Sequence, residues 1–139
     1  MAEAPAVITL GKQKFIRTSD MAVKTLYIRS TAVGTLTMHD SLTNANYQVG
    51  AGKVFKLLEI QLFLTEVGAG AFNIYEADTA DTADGSIRMV LENWAQTAGF
   101  VQGVVIDCDI DFAATKFPNW NDAGARDATV IFRGIEMDA

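Results

Sequence analysis

Chemistry that depends on histidine or cysteine would have to run through two side chains in this chain of 139 residues. His39 is the one histidine, so any serine–histidine–aspartate arrangement must use it as the base. It falls on the polar side of a short alternating stretch, beside Thr35 and Thr37, where a solvated surface histidine is the expected reading. There is no HExxH pattern, and no second histidine or cysteine to complete a zinc site. Cys108 is the one cysteine, which excludes an intrachain disulfide. It sits on the apolar side of its segment between Asp107 and Asp109, whose charges oppose formation of a thiolate. A buried, inert thiol is expected.

The aspartates fall in two clusters. Asp107, Asp109 and Asp111 alternate along one segment and resemble the start of a calcium loop. Such a loop needs glycine at its sixth position and glutamate at its twelfth, where Phe112 and Pro118 stand. Alternate side chains on one strand face lie roughly 7 Å apart, too far for three to share an ion. Repulsion within the row calls for a cationic partner across the strand or across a subunit interface, with Lys12, Lys14 and Arg17 as candidates; the plainer reading is a stripe facing water. Asp78, Asp81 and Asp84, closed by Gly85, are candidates for weak calcium binding within a loop, but they match no metal motif, and a solvated loop is the plainer reading. Gly50-Ala51-Gly52-Lys53 is a turn: a phosphate loop would need glycine at 47 and serine or threonine at 54, where Tyr47 and Val54 stand. Trp94, Trp120 and Tyr75 are the residues that would make a sugar-stacking platform, against which stands the ordinary use of tryptophan in cores and subunit contacts.

The elements that must position these groups read as strands. Residues 54 to 64 carry Val54, Leu58, Ile60, Leu62 and Leu64 at even positions, with Lys56 the exception, and a mixed set at odd positions. A period of two places the sets on opposite faces of one long strand suited to the centre of a sheet. Val104 to Phe112 alternates most cleanly. Val104, Ile106, Cys108, Ile110 and Phe112 lie on one side, Val105 and the three aspartates on the other. Val7–Leu10, Lys24–Arg29, the stretch after Gly34, Phe72–Glu76, Ile87–Leu91 and Thr129–Glu136 complete the set. After Gly34, Leu36 and Met38 are expected inward, and Thr35, Thr37 and His39 outward. Gly68-Ala69-Gly70 is a hairpin signal, with Phe72–Glu76 returning from it. Residues 40 to 45 are turn chemistry. Residues 12 to 21 read as a loop or extended arm, 92 to 100 as a helical turn or loop, and 113 to 127 as a long loop around Trp120. The sum is about eight strands and no long helix. The expected fold is all-β: a single-domain antiparallel β-sandwich, jelly-roll-like, with residues 1–20 as a flexible arm and 21–139 as the sandwich.

Composition narrows the function. Half the residues are hydrophobic and a fifth are charged, a globular composition. The first 29 residues hold five basic and two acidic groups, a net of +3. The rest hold six basic and fifteen acidic, a net of −9. An acidic body repels phosphate backbones, so nucleic acid is not an expected partner. A basic leading segment suits docking onto an acidic neighbour, a second copy included; the plainer reading is solvated charge that aids solubility. No apolar run spans a membrane, and the opening Met-Ala-Glu-Ala-Pro-Ala lacks the marks of a signal peptide, so synthesis in a cytoplasm is expected.

From Tyr47 to Glu76 a polar turn ending in Gly52-Lys53 leads into the long strand, and a glycine turn leads to Phe72-Asn73-Ile74-Tyr75-Glu76. This texture resembles small β-sandwich proteins of tailed-bacteriophage virions, namely head decoration (cement) proteins and related fibre or tail modules. The resemblance implies a jelly-roll-like sandwich without an active site or cofactor, assembled as an oligomer, often a trimer, on a lattice of major capsid protein. It also implies an N-terminal arm that orders on the capsid. Lys12, Lys14, Phe15 and Arg17 in the arm, and the loop around Trp120, are then the expected contact surfaces. The alternative is a carbohydrate- or receptor-binding module of a fibre or tail, binding a glycan through Trp120. An enzyme of cupin type would need a cluster of histidines.

Overall fold

The structure is a computed structural model. It describes residues 7–10, 13–16, 21–31, 34–64, 68–96, 102–122 and 127–139; for 7–10, 13–16, 30–31, 68–69, 91–96, 102 and 127 it describes the backbone alone. All described secondary structure is β. Among the described residues, strands β1 (Val7–Leu10) and β2 (Gln13–Ile16) pair only with each other. Five strands form one antiparallel sheet: β3 (Ala22–Thr31), β5 (His39–Asp40), β6 (Lys53–Leu64), β9 (Gln102–Phe112) and β11 (Asp127–Asp138), in the order β5-β3-β11-β6-β9. Four form the second: β4 (Thr35–Thr37), β7 (Gly68–Ala77), β8 (Ser86–Gln96) and β10 (Phe117–Asp122), in the order β4-β10-β7-β8. The described residues thus make the expected single-domain β-sandwich.

The pairings are nested. β7 pairs with β8, β6 with β9, β4 with β10 and β3 with β11, each pair enclosing the one before it in sequence. The ladders β11–β6 and β10–β7 then join these pairs within the sheets. The chain behaves as one long hairpin folded over on itself. Both faces meet in a single core, to which Leu26, Ile28, Ile60, Leu62, Phe112, Val130 and Phe132 contribute from one sheet and Phe72, Ile74 and Trp120 from the other.

β6 shows how the residues choose their face. A strict period of two would send Leu58, Ile60, Leu62 and Leu64 the same way. Instead Phe55 and Leu57 lie in the core with Ile60, Leu62 and Leu64, while Leu58 joins a smaller cluster with Ile135, against which Met21 and Met137 pack. The cause is a bulge. The ladder to β11 steps from Glu59↔Arg133 to Leu57↔Gly134, leaving Leu58 as the extra residue. The phase of the strand shifts there by one, and Lys56 leaves the apolar side on which strict alternation places it. Gly134 is the residue that admits the bulge. A Cβ on it would lie 2.2 Å from the Lys56 carbonyl oxygen and 2.7 Å from the Phe55 ring.

Several other segments differ from expectation. Residues 13–16, expected in a loop or arm, form a strand. Gly68–Gly70 is no hairpin back onto β6, because β7 lies in the opposite sheet and the true hairpin is β7–β8. β8 continues through Gln96, where a helical turn or loop was expected. Residues 117–122, expected inside a loop, form β10, whose partners β4 and β7 lie far away in sequence. After Gly34 the chain changes sheets within one residue. Thr35–Thr37 belong to the four-stranded sheet and His39–Asp40 to the five-stranded one, and Met38 between them bonds to Pro118 and Tyr47. Thr37, expected outward, is enclosed.

Trp120 is the largest enclosed side chain, at 0% exposure. Its ring stacks on Phe72 at 4.9 Å and meets the edge of Phe132 at 6.4 Å, so it touches both sheets. Its indole N–H finds no acceptor among the described residues. Trp120→Ala is therefore expected to cost about 3–5 kcal/mol of stability by opening a cavity. Trp120→Phe keeps a stacked ring and removes an unpaired donor, so it should cost much less. Urea unfolding midpoints of the two variants check this; equal losses would contradict it.

Candidate functional site

The aspartate row of β9 finds its cation within the sheet. Lys56 on β6, directly opposite Asp111, places Nζ 2.7 Å from Asp109 and 3.0 Å from Asp111. The hydrogen bond to Asp109, opposed by partial burial and reinforced by Asp111, holds the lysine above its ordinary pKa. Beside it, Gln61 donates to Glu59 at 2.8 Å, and Arg133 lies 3.8 Å from the same carboxylate. Lys56 was the one polar interruption in an apolar register, a signal that points to this role only once the bulge is known. Of the cations expected to serve here, Lys12 and Arg17 lie outside the described residues. Lys14 and Phe15 lie on β2, opposite Thr9 and Ile8.

The second acidic cluster is tied down by its own carboxylates. Asp84 accepts from the backbone N–H of Asp78 at 2.9 Å and of Thr79 at 3.3 Å. Asp78 pairs with Lys116. Asp81 accepts from the N–H of Thr37 at 2.8 Å and from Asn46 at 3.4 Å, while its own N–H donates to the Thr37 hydroxyl. The loop folds onto the four-stranded sheet because Asn119 grips it. The Asn119 amide donates to the carbonyls of Thr79 and Thr82 at 3.1 and 2.8 Å and accepts from the Thr37 hydroxyl at 2.7 Å. Gly85 closes the loop at φ +73°, where a Cβ would lie 2.0 Å from the Glu76 carbonyl oxygen. Among the described residues no group of three His, Cys, Asp or Glu is placed to hold a metal ion.

A third polar group closes one end of the sandwich. The Tyr47 hydroxyl donates to Glu136 at 2.5 Å, and the N–H of Gly50 donates to the same oxygen at 3.2 Å. Burial and that carboxylate hold the phenol well above the usual tyrosine range. Lys24 reaches Asp40 at 3.1 Å and lies over the Tyr47 ring. Burial raises the Asp40 pKa, but the Leu42 N–H and Lys24 outweigh it and hold the carboxyl below the usual range. His39 packs edge-on against Tyr27 at 5.7 Å. It belongs to a different sheet from Thr35 and Thr37, so they are not its neighbours on a common face as the alternation suggests.

Cys108 is half-buried, with Sγ 3.6 Å from the Leu57 carbonyl oxygen. Burial, then Asp109, Asp107 and Glu59, push its thiol up to about 11. Trp120 does not lie in a surface loop. It is a core residue on β10, so its ring cannot serve as a stacking platform in this fold; Tyr75 is partly exposed on β7, and for Trp94 only the strand position on β8 is described. Comparison with models of known protein families finds no match, and comparison with curated proteins finds none.

Two outcomes follow from this geometry. Alkylation of Cys108 in the folded protein should be slow near pH 8 and keep rising toward pH 11; a plateau near pH 9 would contradict the raised pKa. Asn119→Ala leaves the Thr37 hydroxyl and two loop carbonyls without their partner, at an expected cost of about 1–3 kcal/mol. Amide exchange across residues 78–85 should accelerate with it, and unchanged exchange would show that Asn119 does not hold the loop.

Proposed function

We propose that this chain is a non-enzymatic structural protein of a virion, a head decoration protein that bridges neighbouring subunits of the major capsid protein. The observation that carries the reading is the nested two-sheet sandwich. Its winding supports a jelly roll, the fold that the sequence resemblance implies, and its polar side chains are largely engaged in holding its own loops and strands. Such a body offers rigid surface, and its work would be done by apolar and polar contacts spread over a large area. The basic leading segment, with Lys12, Lys14, Phe15 and Arg17, is the proposed contact with the capsid. Trp120 now drops out of that contact, because it stacks between the sheets.

The test is co-sedimentation of the purified protein with undecorated capsids. The full chain should pellet with capsids, and a chain lacking residues 2–20 should keep its fold by circular dichroism while binding at least tenfold more weakly, a loss of about 1.4 kcal/mol or more. Undiminished binding by the truncated chain would remove the arm from the proposal. Binding to tails or fibres but not heads would overturn the capsid location.

A further inference from the structure

β9 is, among the described strands, the outermost of its sheet and pairs with β6 alone. Among the described strands nothing bonds to its other edge, and at eleven residues it is a long template for one more strand. The edge also has a sign. Asp109 and Asp111 point away from the core two residues apart, their side chains 55% and 54% exposed, with one lysine between them. Val105 on the same face is 60% exposed. Elsewhere in the chain, β1 and β2 form a two-stranded sheet joined to neither large one, an arrangement of marginal stability in water without a further strand. β2 carries Lys14, and the sequence places Lys12 just before it. The two lysines are two residues apart, the same period as the aspartates.

We infer that β2 of one copy adds along the β9 edge of a second copy, setting Lys12 and Lys14 against Asp109 and Asp111. Backbone hydrogen bonds would supply attachment, and the opposed charges would choose the partner and the register. A copy's own edge is poorly placed to receive its own β2. Four strand spacings, about 19 Å, separate β3 from the slot beside β9. The six residue steps from Ala22 back to Ile16 span at most about 21 Å when fully extended, with no slack for crossing three strands. A copy that gives one strand and receives one forms a reciprocal pair, a closed ring or an open filament. The inference uses two of the lysines of the proposed capsid contact, but its test needs no capsid, so either reading can fail without the other.

Light scattering coupled to size-exclusion chromatography tests it with four samples. These are the full chain, Asp109→Lys/Asp111→Lys, Lys12→Asp/Lys14→Asp, and an equal mixture of the two variants. The full chain should have the mass of two or more copies at low ionic strength and fall toward one copy as salt screens the charges. Each variant alone should have the mass of one copy, and the mixture should recover association. The lysine variant leaves the sandwich untouched, so its result stands even if the aspartate variant folds poorly. A full chain of single-copy mass at every concentration would overturn the inference, as would association undiminished in the lysine variant.

Discussion

One residue too many in β6 governs the core. Leu58 has no counterpart on β11, and the strand turns by one position around it. On one side of the bulge Phe55 and Leu57 point inward; on the other, Ile60, Leu62 and Leu64 do. Without the bulge, one of these two sets would face away from the core, and β6 could not serve both ends of the sandwich. The bulge in turn needs a strand partner with no side chain at that height. Gly134 meets that need, since any Cβ there would press into the Lys56 carbonyl and the Phe55 ring. The same shift turns Lys56 away from the core and toward Asp109 and Asp111, so the apolar interior and the charged surface share one cause.

The polar groups of the body follow a common pattern. Asn119, Thr37 and Asp81 fasten a loop to a sheet, Glu136 holds Tyr47 and the Gly50 turn, and Lys56 bridges two aspartates. Each group satisfies donors or charges that burial or crowding would otherwise leave costly. Side chains committed in this way hold the body's own strands and loops in place.

Much of this was legible in sequence. The all-β class, the long strand at 54–64, the alternation of 104–112 and the inert environment of Cys108 all come from the period of side chains and the signs of neighbouring charges, which are local properties. What was not legible depends on partners distant in the chain. β10 carries Pro118 and polar residues and reads as a loop until β4 and β7 flank it. Trp120, flanked by asparagines, looks like a surface residue until Phe72 and Phe132 close over it. Asn119 and Thr37 are 82 positions apart, and no local pattern announces their hydrogen bond. The bulge at Leu58 is equally silent, because its cause, Gly134, lies on another strand.

The nested pairing bears on how the chain acquires its shape during synthesis. The innermost ladder, β7 with β8, joins neighbours in sequence and can close early. β11 emerges after every other described strand, yet it sits between β3 and β6 and hydrogen-bonds to both. Until it arrives, β3 and β6 each expose the edge that it will fill, and the core lacks Ala128, Val130 and Phe132. Such non-local closure is slow, and nascent chains that meet in the interval present matching vacant edges to one another. The order of the strands thus makes the interval before β11 emerges the time of greatest aggregation risk.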